Sequence, residues 1–297
     1  MKHYSKCPAC KSSKFNTILE AKDHLVSGEE FKISECFDCH LRFTNPIPDE
    51  NEIGKYYQSD EYISHSGTSE GLINKLYQFV RNFTLRSKRN LVTKESELKA
   101  GKILDIGCGT GEFLNTMSNA GWDVAGLEPD EGARQRAFSN FKLKVNPPEK
   151  LFELPANEFD VIAMWHVLEH VHRLDDYMEQ LSKILKPEGL LIIAVPNYTS
   201  YDAGYYRGGW AAYDVPRHLY HFAPYSVNTL LKRFHFQLLK MKPMPFDALY
   251  VSMLSEKYNG GNIVRALLVG LTSNLKVVFK TEKCSSIIYV VKSRGEI

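Results

Sequence analysis

Neither sign of charge prevails in this sequence: 37 Lys and Arg residues face 35 Asp and Glu, a formal net charge of +2. Without a basic excess the electrostatic footprint that favours nucleic acid is missing, and no nucleic-acid partner is expected. Also missing is an apolar run of the roughly 20 residues needed to cross a bilayer. The most apolar stretch, 263–279, is interrupted by Arg265, Asn274 and Lys276. The first residues, Met1 to Cys7, carry no apolar segment, so no signal peptide is expected and the chain reads as cytoplasmic. Internal repeats and low-complexity tracts are lacking as well. Cysteine is scarce, at six in 297 residues, which is poor material for a secreted disulfide scaffold.

The few cysteines are placed tellingly. Cys7 and Cys10 form one Cys-x-x-Cys pair, Cys36 and Cys39 another, while Cys108 and Cys284 stand alone. Two such pairs joined by a hairpin-length segment are the pattern of a tetrahedral zinc site. Four thiolates close the coordination shell, so this zinc is expected to be structural. Strand-like pieces at 15–19 and 31–33 supply the hairpin, and Pro46 and Pro48 punctuate the chain after it. A small zinc ribbon is therefore expected over 1–48. Over 49–98 a helical linker or lid is expected, since Leu72, Ile73, Leu76, Phe79, Val80 and Phe83 recur at helical spacing.

From residue 99 to 297 strands alternate with helices. Strands are predicted at 102–106, 123–128, 159–164, 190–195, 236–241 and 285–291, with helices at 112–119 and 174–185. The nearly all-apolar 190–195 stretch suits a strand buried on both faces. The expectation is an α/β fold, a Rossmann-like doubly wound and mostly parallel sheet. Inserts are expected at about 198–223 and 247–282. The second reads as an amphipathic packed helix, with a lid, a dimer surface or peripheral contact with a membrane surface as alternatives.

Chemistry enters at the first strand. It runs into Asp105-Ile106-Gly107-Cys108-Gly109-Thr110-Gly111, a turn whose glycines let backbone N–H groups approach a ligand. The last glycine of a dinucleotide fingerprint would fall on Glu112, whose carboxylate would face a pyrophosphate. Asp105, just before the turn, suits a ligand with a cationic end instead. The second strand ends in Glu128, where an acid can accept both hydroxyls of a ribose.

These residues, with Phe159-Asp160-Val161-Ile162, Trp165-His166-Val167-Leu168-Glu169-His170-Val171 and Leu185-Lys186-Pro187-Glu188-Gly189-Leu190, resemble three ordered motifs of class I S-adenosylmethionine-dependent methyltransferases. The resemblance implies a methyltransferase with S-adenosylmethionine (SAM) as cofactor. Asp105, Gly107 and Gly109 would line its methionine moiety and Glu128 would hold the ribose. Cys108, Gly111, Phe113, Pro129 and His166 complete the implied cofactor-binding set, His166 standing equally as a packing residue. Glu169 and His170 read as the start of a helix. The adenine contact would fall within 146–151, which lacks the family's usual pattern. The four-cysteine module is similar to the one preceding this domain in sugar C-methyltransferases.

The aromatic stretch 198–223 lies after the fifth strand, where ligands bind in such sheets. It contains Asp214-Val215-Pro216-Arg217-His218-Leu219-Tyr220-His221-Phe222. A neutral histidine suits the removal of a proton from a methyl acceptor. His218 is the first candidate base and His221 the second, with Asp214 orienting one of them. Arg217 is expected to bind an anionic substrate group, Trp210 to stack on a ring, and Tyr220 to join them in substrate binding. The alternative is that these histidines only pin the loop. The expected activity is O- or C-methylation of a small molecule, a saccharide or a lipid-linked metabolite, by a monomer or homodimer. Two other readings stay open: a zinc-ribbon methyltransferase of ribosomal RNA, and a protein that binds SAM without catalysis.

Overall fold

Side chains alternate between the two faces of a strand, so a strand covered on both faces must be apolar throughout. Strand β8 (Leu185–Pro196) shows this directly. Leu191, Ile193 and Val195 enter one core, while Ile192 and Ala194 enter a second on the opposite face. In β7 (Phe159–Trp165), Ile162 and Met164 join the first core, and Val161, Ala163 and Trp165 the second. The structure is a computed structural model that describes residues 1–58, 72–277 and 280–293, without the side chains of 72–80.

Around these two strands the large sheet has seven strands. It adds β4 (Lys102–Ile106), β5 (Asp123–Leu127) and β6 (Val145–Asn146) on one side, in the order β8-β7-β4-β5-β6, all parallel. On the other side β11 (Ser286–Ser293) runs antiparallel to β8, and β10 (Phe236–Pro243) antiparallel to β11. The doubly wound, mostly parallel α/β sheet is as expected. One local difference is that β8 begins at Leu185, before the predicted turn at Lys186–Gly189. Pairing with β7 skips from Phe159↔Leu185 to Val161↔Leu190, so the turn residues form an irregularity inside the strand.

Helices connect and cover these strands. Helix α1 (Leu72–Ser96) covers the second core through Val92, while the predicted apolar positions Leu72 to Val80 lie outside the described side chains. Helices α2 (Glu112–Ser118) and α3 (Glu131–Phe141) follow β4 and β5. Helix α4 (Leu174–Ile184) buries Leu174, Met178, Leu181 and Ile184 at a spacing of three and four residues. The short α5 (Tyr201–Tyr206) opens the first insert, and α6 (Pro224–Arg233) follows it.

The second insert is a hairpin of α7 (Pro245–Tyr258) and α8 (Ile263–Val277). The helices approach closely at Gly270, where a Cβ would come within 2.9 Å of the Leu249 Cα. One buried carboxylate helps to pin this insert to the rest. Asp202, fully buried, accepts from Trp210 Nε1 (2.8 Å), Ser273 Oγ (2.6 Å) and Ser285 Oγ (2.7 Å). The opposite side of α8 leaves Val264, Leu268, Leu271 and Leu275 more than half exposed.

A second, four-stranded sheet holds the cysteine module. Strands β1 (Phe15–Lys22), β2 (Glu30–Cys36) and β3 (Arg42–Thr44) are antiparallel, and the fourth strand, β9 (Tyr220–His221), comes from the aromatic insert. The insert is thus covered by the ribbon. Tyr198, Trp210, Tyr213 and Val215 share one core with Phe31 and Ile33.

Candidate active site

The parallel strands β4, β5 and β7 all end on one edge, and their last residues define the cofactor end of the site. Gly107, Gly109 and Gly111 have φ of +71°, +55° and +84°, the left-handed region that glycine enters without strain. Space matters as much at Gly107, where a Cβ would lie 2.4 Å from Val167 Cγ2. The turn is fastened by Gly107 N–H and Cys108 N–H donating to the Leu127 carbonyl (2.7 and 3.1 Å). Glu128 is buried, and each carboxylate oxygen accepts one backbone N–H: Oε2 from Gly109 (2.8 Å) and Oε1 from Asp130 (2.9 Å). Both oxygens are held in place with a lone pair to spare, which fits a vicinal pair of ribose hydroxyls. Burial outweighs these hydrogen bonds and leaves the Glu128 carboxyl above its ordinary range.

Asp105 is 2% exposed, and its Oδ1 has no partner among the described residues. Burial pushes its carboxyl up to about 7, against the opposing charge of Lys88. A buried carboxylate lacking a donor is costly, and a ligand ammonium would supply that donor. Lys88, which no sequence pattern marks, stands 4.3 Å from the Trp165 ring centroid, and Asp105 and Asp247 both act on its charge. The residues present therefore fit SAM: an acid for its amino group, glycines for close approach, and Glu128 for its ribose. The other implied contacts lie less directly on the pocket. Phe113 packs edge-on against Trp165 at 5.6 Å, Cys108 is buried, and Pro129 is exposed, its carbonyl accepting from Arg134.

His166 follows β7 with φ +58°. Its Nε2 lies 3.1 Å from Asp247 and its Nδ1 3.4 Å from Glu169. Burial alone would lower its pKa, but the two carboxylates raise it to about 10, so the ring is an imidazolium at neutral pH. It anchors α7 over the strand ends and is no proton acceptor.

The acceptor end lies beside it. Leu219 N–H donates to the Glu169 carbonyl (2.8 Å), which brings the aromatic insert against the turn at Leu168–His170. There Glu169, His170 and His218 place one oxygen and two ring nitrogens within 4.8 Å of one another. His218 Nδ1 meets the Ala212 carbonyl at 2.9 Å, and His170 Nδ1 meets the Arg217 carbonyl at 3.1 Å. A carbonyl only accepts, so both Nδ1 atoms carry the proton and both Nε2 atoms the lone pair. Glu169 is completely buried, and neither oxygen has a hydrogen bond among the described residues. Burial lowers His170 to about 4, which keeps it neutral. The group can take up a proton, and its spacing also suits the ligands of a cation. Glu169 and His170, expected only to start a helix, are thus part of the site.

Several expected substrate residues prove to be internal. Arg217 is 1% exposed; it donates through Nη2 to Asp23 (2.9 Å) and Asp214 (2.7 Å), through Nε to Asp214 (3.0 Å), and through Nη1 to the Tyr56 carbonyl (2.8 Å). It clasps the ribbon and is not available to a substrate anion. Asp214, committed to that clasp, stands 3.9 Å from His218 Nε2 and does not hold the ring by a hydrogen bond. Trp210 is buried against Tyr213 with its N–H on Asp202, so it stacks on no ligand. Tyr220 is buried, its hydroxyl 3.0 Å from that of Tyr4. His221 is buried against Tyr213, with Nε2 3.2 Å from Thr44 Oγ1 and Nδ1 enclosed without a partner among the described residues. Having no open path to a substrate, it is not a base. All five residues are taken up in packing for one reason: the ribbon covers the insert.

The four cysteines form a second cluster, all free of disulfides. Their sulfurs lie within 4.8 Å of one another, with Cys7–Cys39 and Cys10–Cys36 each at 3.5 Å. Sulfurs about 2.3 Å from a shared tetrahedral zinc would be about 3.8 Å apart, so the donor set fits that ion. The two knuckles repeat one geometry. Lys11 N–H donates to the Cys7 carbonyl and His40 N–H to the Cys36 carbonyl (both 2.9 Å), and Lys11 and His40 have φ +66° and +56°.

Comparison with known proteins agrees with this geometry. A family model described as a methyltransferase domain matches residues 78–241. The ubiquinone biosynthesis O-methyltransferase of Pelagibacter ubique is 34% identical over 128 residues, 40% of this chain and 50% of that protein. Its namesake from Rickettsia bellii (strain OSU 85-389) is 24% identical over 212 residues, 66% of this chain and 85% of that protein. In fold, the chain is similar to the 1,6-didemethyltoxoflavin-N1-methyltransferase of Burkholderia thailandensis, with a TM-score of 0.51 and 14% identity over 92% of this chain and 99% of that one. Among the described residues no helix is long and apolar enough to cross a membrane. With the glycine turn, the buried Asp105 and the oriented Glu128 in place, the chain belongs to the methyltransferase-domain family and is a SAM-dependent methyltransferase.

Proposed function

We propose that this enzyme methylates a hydroxyl group of a small molecule, a saccharide or a lipid-linked metabolite, with His218 as the base and a structural zinc in the ribbon. The observation that carries the reading is His218, its Nδ1 on the Ala212 carbonyl and its ring against buried Glu169 and His170 beside the end of β7. SAM supplies an electrophilic methyl group when bound. The chain's part is to hold the acceptor oxygen in line and receive its proton, the kind of step worth about 10²–10⁴ in rate. Hydroxyl over carbon is favoured because the names of two relatives specify O-methylation.

The test is to incubate zinc-loaded protein with methyl-labelled SAM and a bacterial extract divided into RNA, protein, lipid and soluble-metabolite pools. Label in the lipid or metabolite pool, lost by about 100-fold or more in His218→Asn, is the expected result. Label in RNA overturns the acceptor class. Undiminished label in His218→Asn removes His218 as the base.

A further inference from the structure

We propose that Thr44, the last residue of β3, is a positioning residue for His218, and that the cysteine ribbon is thereby a working part of the acceptor site. The inference rests on the reading of His218 as the base. Residues 217–221 are held between two layers. On the side of β7, the Glu169 carbonyl accepts from Leu219 N–H and the Arg217 carbonyl from His170 Nδ1–H. On the other side lies β3, with Arg42 opposite His221 and Phe43 opposite Tyr220.

Thr44 closes that pairing and reaches one step further. Its N–H donates to the Leu219 carbonyl (3.0 Å), and its Oγ1–H donates to the His218 carbonyl (2.9 Å). The hydroxyl has one proton, already given, so toward His221 Nε2 at 3.2 Å it can only accept. One fully buried side chain therefore fixes the peptide that follows His218 and the tautomer of His221 together. Valine has the same shape and neither hydrogen bond. It would leave the His218 carbonyl and the His221 Nε2–H unpaired in a buried place, and the peptide would turn to recover them. Since His218 is aimed by its own Nδ1–H on the Ala212 carbonyl, such a turn moves the ring off that carbonyl and off Glu169. Ahead of His218, the buried Asp23–Arg217 pair anchors the same segment to the ribbon. The knuckle at Cys39 lies five positions before Thr44, and His40 within it accepts from Tyr198 OH at 2.6 Å.

The experiment uses the full-length, zinc-loaded protein with histidine nitrogens labelled, as wild type, Thr44→Val and Thr44→Ser. Long-range nitrogen–proton spectra report each tautomer, and calorimetry reports SAM affinity. Expected for Thr44→Val are the loss of the single Nδ1–H pattern of His218, SAM affinity within twofold, and about tenfold slower labelling of the extract pool identified above. Thr44→Ser, which keeps the hydroxyl, should restore the His218 pattern and bring labelling to within twofold. Where Thr44→Val does not fold, Thr44→Cys, a weak donor of similar size, takes its place with the same expected pattern. An unchanged His218 tautomer in the variant overturns the positioning role. A lost tautomer in the variant together with full labelling by His218→Asn leaves the positioning role standing and overturns only the assignment of His218 as base.

Discussion

The two ends of the site are held by different means. At the cofactor end, Asp105, the glycine turn, Glu128 and Asp130 lie within one strand–helix–strand stretch, and backbone N–H groups do the fastening. At the acceptor end, Tyr57 (its hydroxyl 3.0 Å from His170 Nδ1), the 166–170 segment, His218 and Asp247 come from four separate stretches, fastened largely by side chains. Thr44 and His221, in hydrogen-bond contact, are 177 positions apart. The first end owes its shape to the chain's local turns. The second exists only while distant segments stay packed, so the two ends should fail separately.

The most damaging change at the acceptor end is Arg217→Ala. It strands Asp23 and Asp214 around a buried void, and breaking such a pair costs about 3–5 kcal/mol. Urea unfolding should show that loss, and Arg217→Lys should recover less than half of it, lacking the planar fork. The counterpart at the cofactor end is Gly107→Ala. Left-handed strain of about 1–2 kcal/mol and crowding of about 1–3 kcal/mol together predict roughly 30- to 5000-fold weaker SAM binding by calorimetry. A sharper separation comes from Cys39→Ser or chelation of the ribbon. Labelling of the acceptor pool should fall by about 100-fold while SAM affinity changes by less than about threefold. If SAM binding falls in parallel, the two ends are one unit and the contrast is wrong.

The smallest effect is a pH dependence at the place where the ends meet. Folded His166 keeps its proton to about 10 and unfolded His166 releases it near 6.5. Its stabilisation is complete below 6.5 and disappears as pH rises toward 10. Asp247, whose burial penalty is outweighed by His166, sits below its ordinary range, so its share is lost instead on acidification. Unfolding midpoints of wild type and His166→Gln at pH 6, 8 and 10 should therefore converge with rising pH. Parallel curves would show that the imidazolium contributes nothing.

What was legible in the amino-acid sequence follows the same division. Gly107 and Glu128 are readable because a turn and the strand end beside it leave few residue types that fit. The cysteine pairs are readable because ligand spacing is set by the knuckle. Arg217, Trp210 and Tyr220 read as substrate residues because polar and aromatic residues at a strand's C-terminal edge face solvent unless something covers them. Here the ribbon covers them, and contacts so remote in sequence leave no local trace. Glu169 and His170 resemble a helix start in any strand–helix unit, and only the arrival of His218 gives them a further use. Lys88 and Asp247 belong to no motif, and their place over the strand ends is set by packing alone.

The borrowed fourth strand of the small sheet also bears on synthesis. The ribbon leaves the ribosome before the insert does, and β3 lacks its neighbour β9 until His221 emerges 177 positions later. At about 5–20 residues per second that interval is roughly 9–35 s. Throughout it a nascent ribbon presents an open hydrogen-bonding edge beside the apolar face of Phe31 and Ile33. An edge left open for that long is a template for pairing with another nascent copy, an outcome that a chaperone or faster translation would limit.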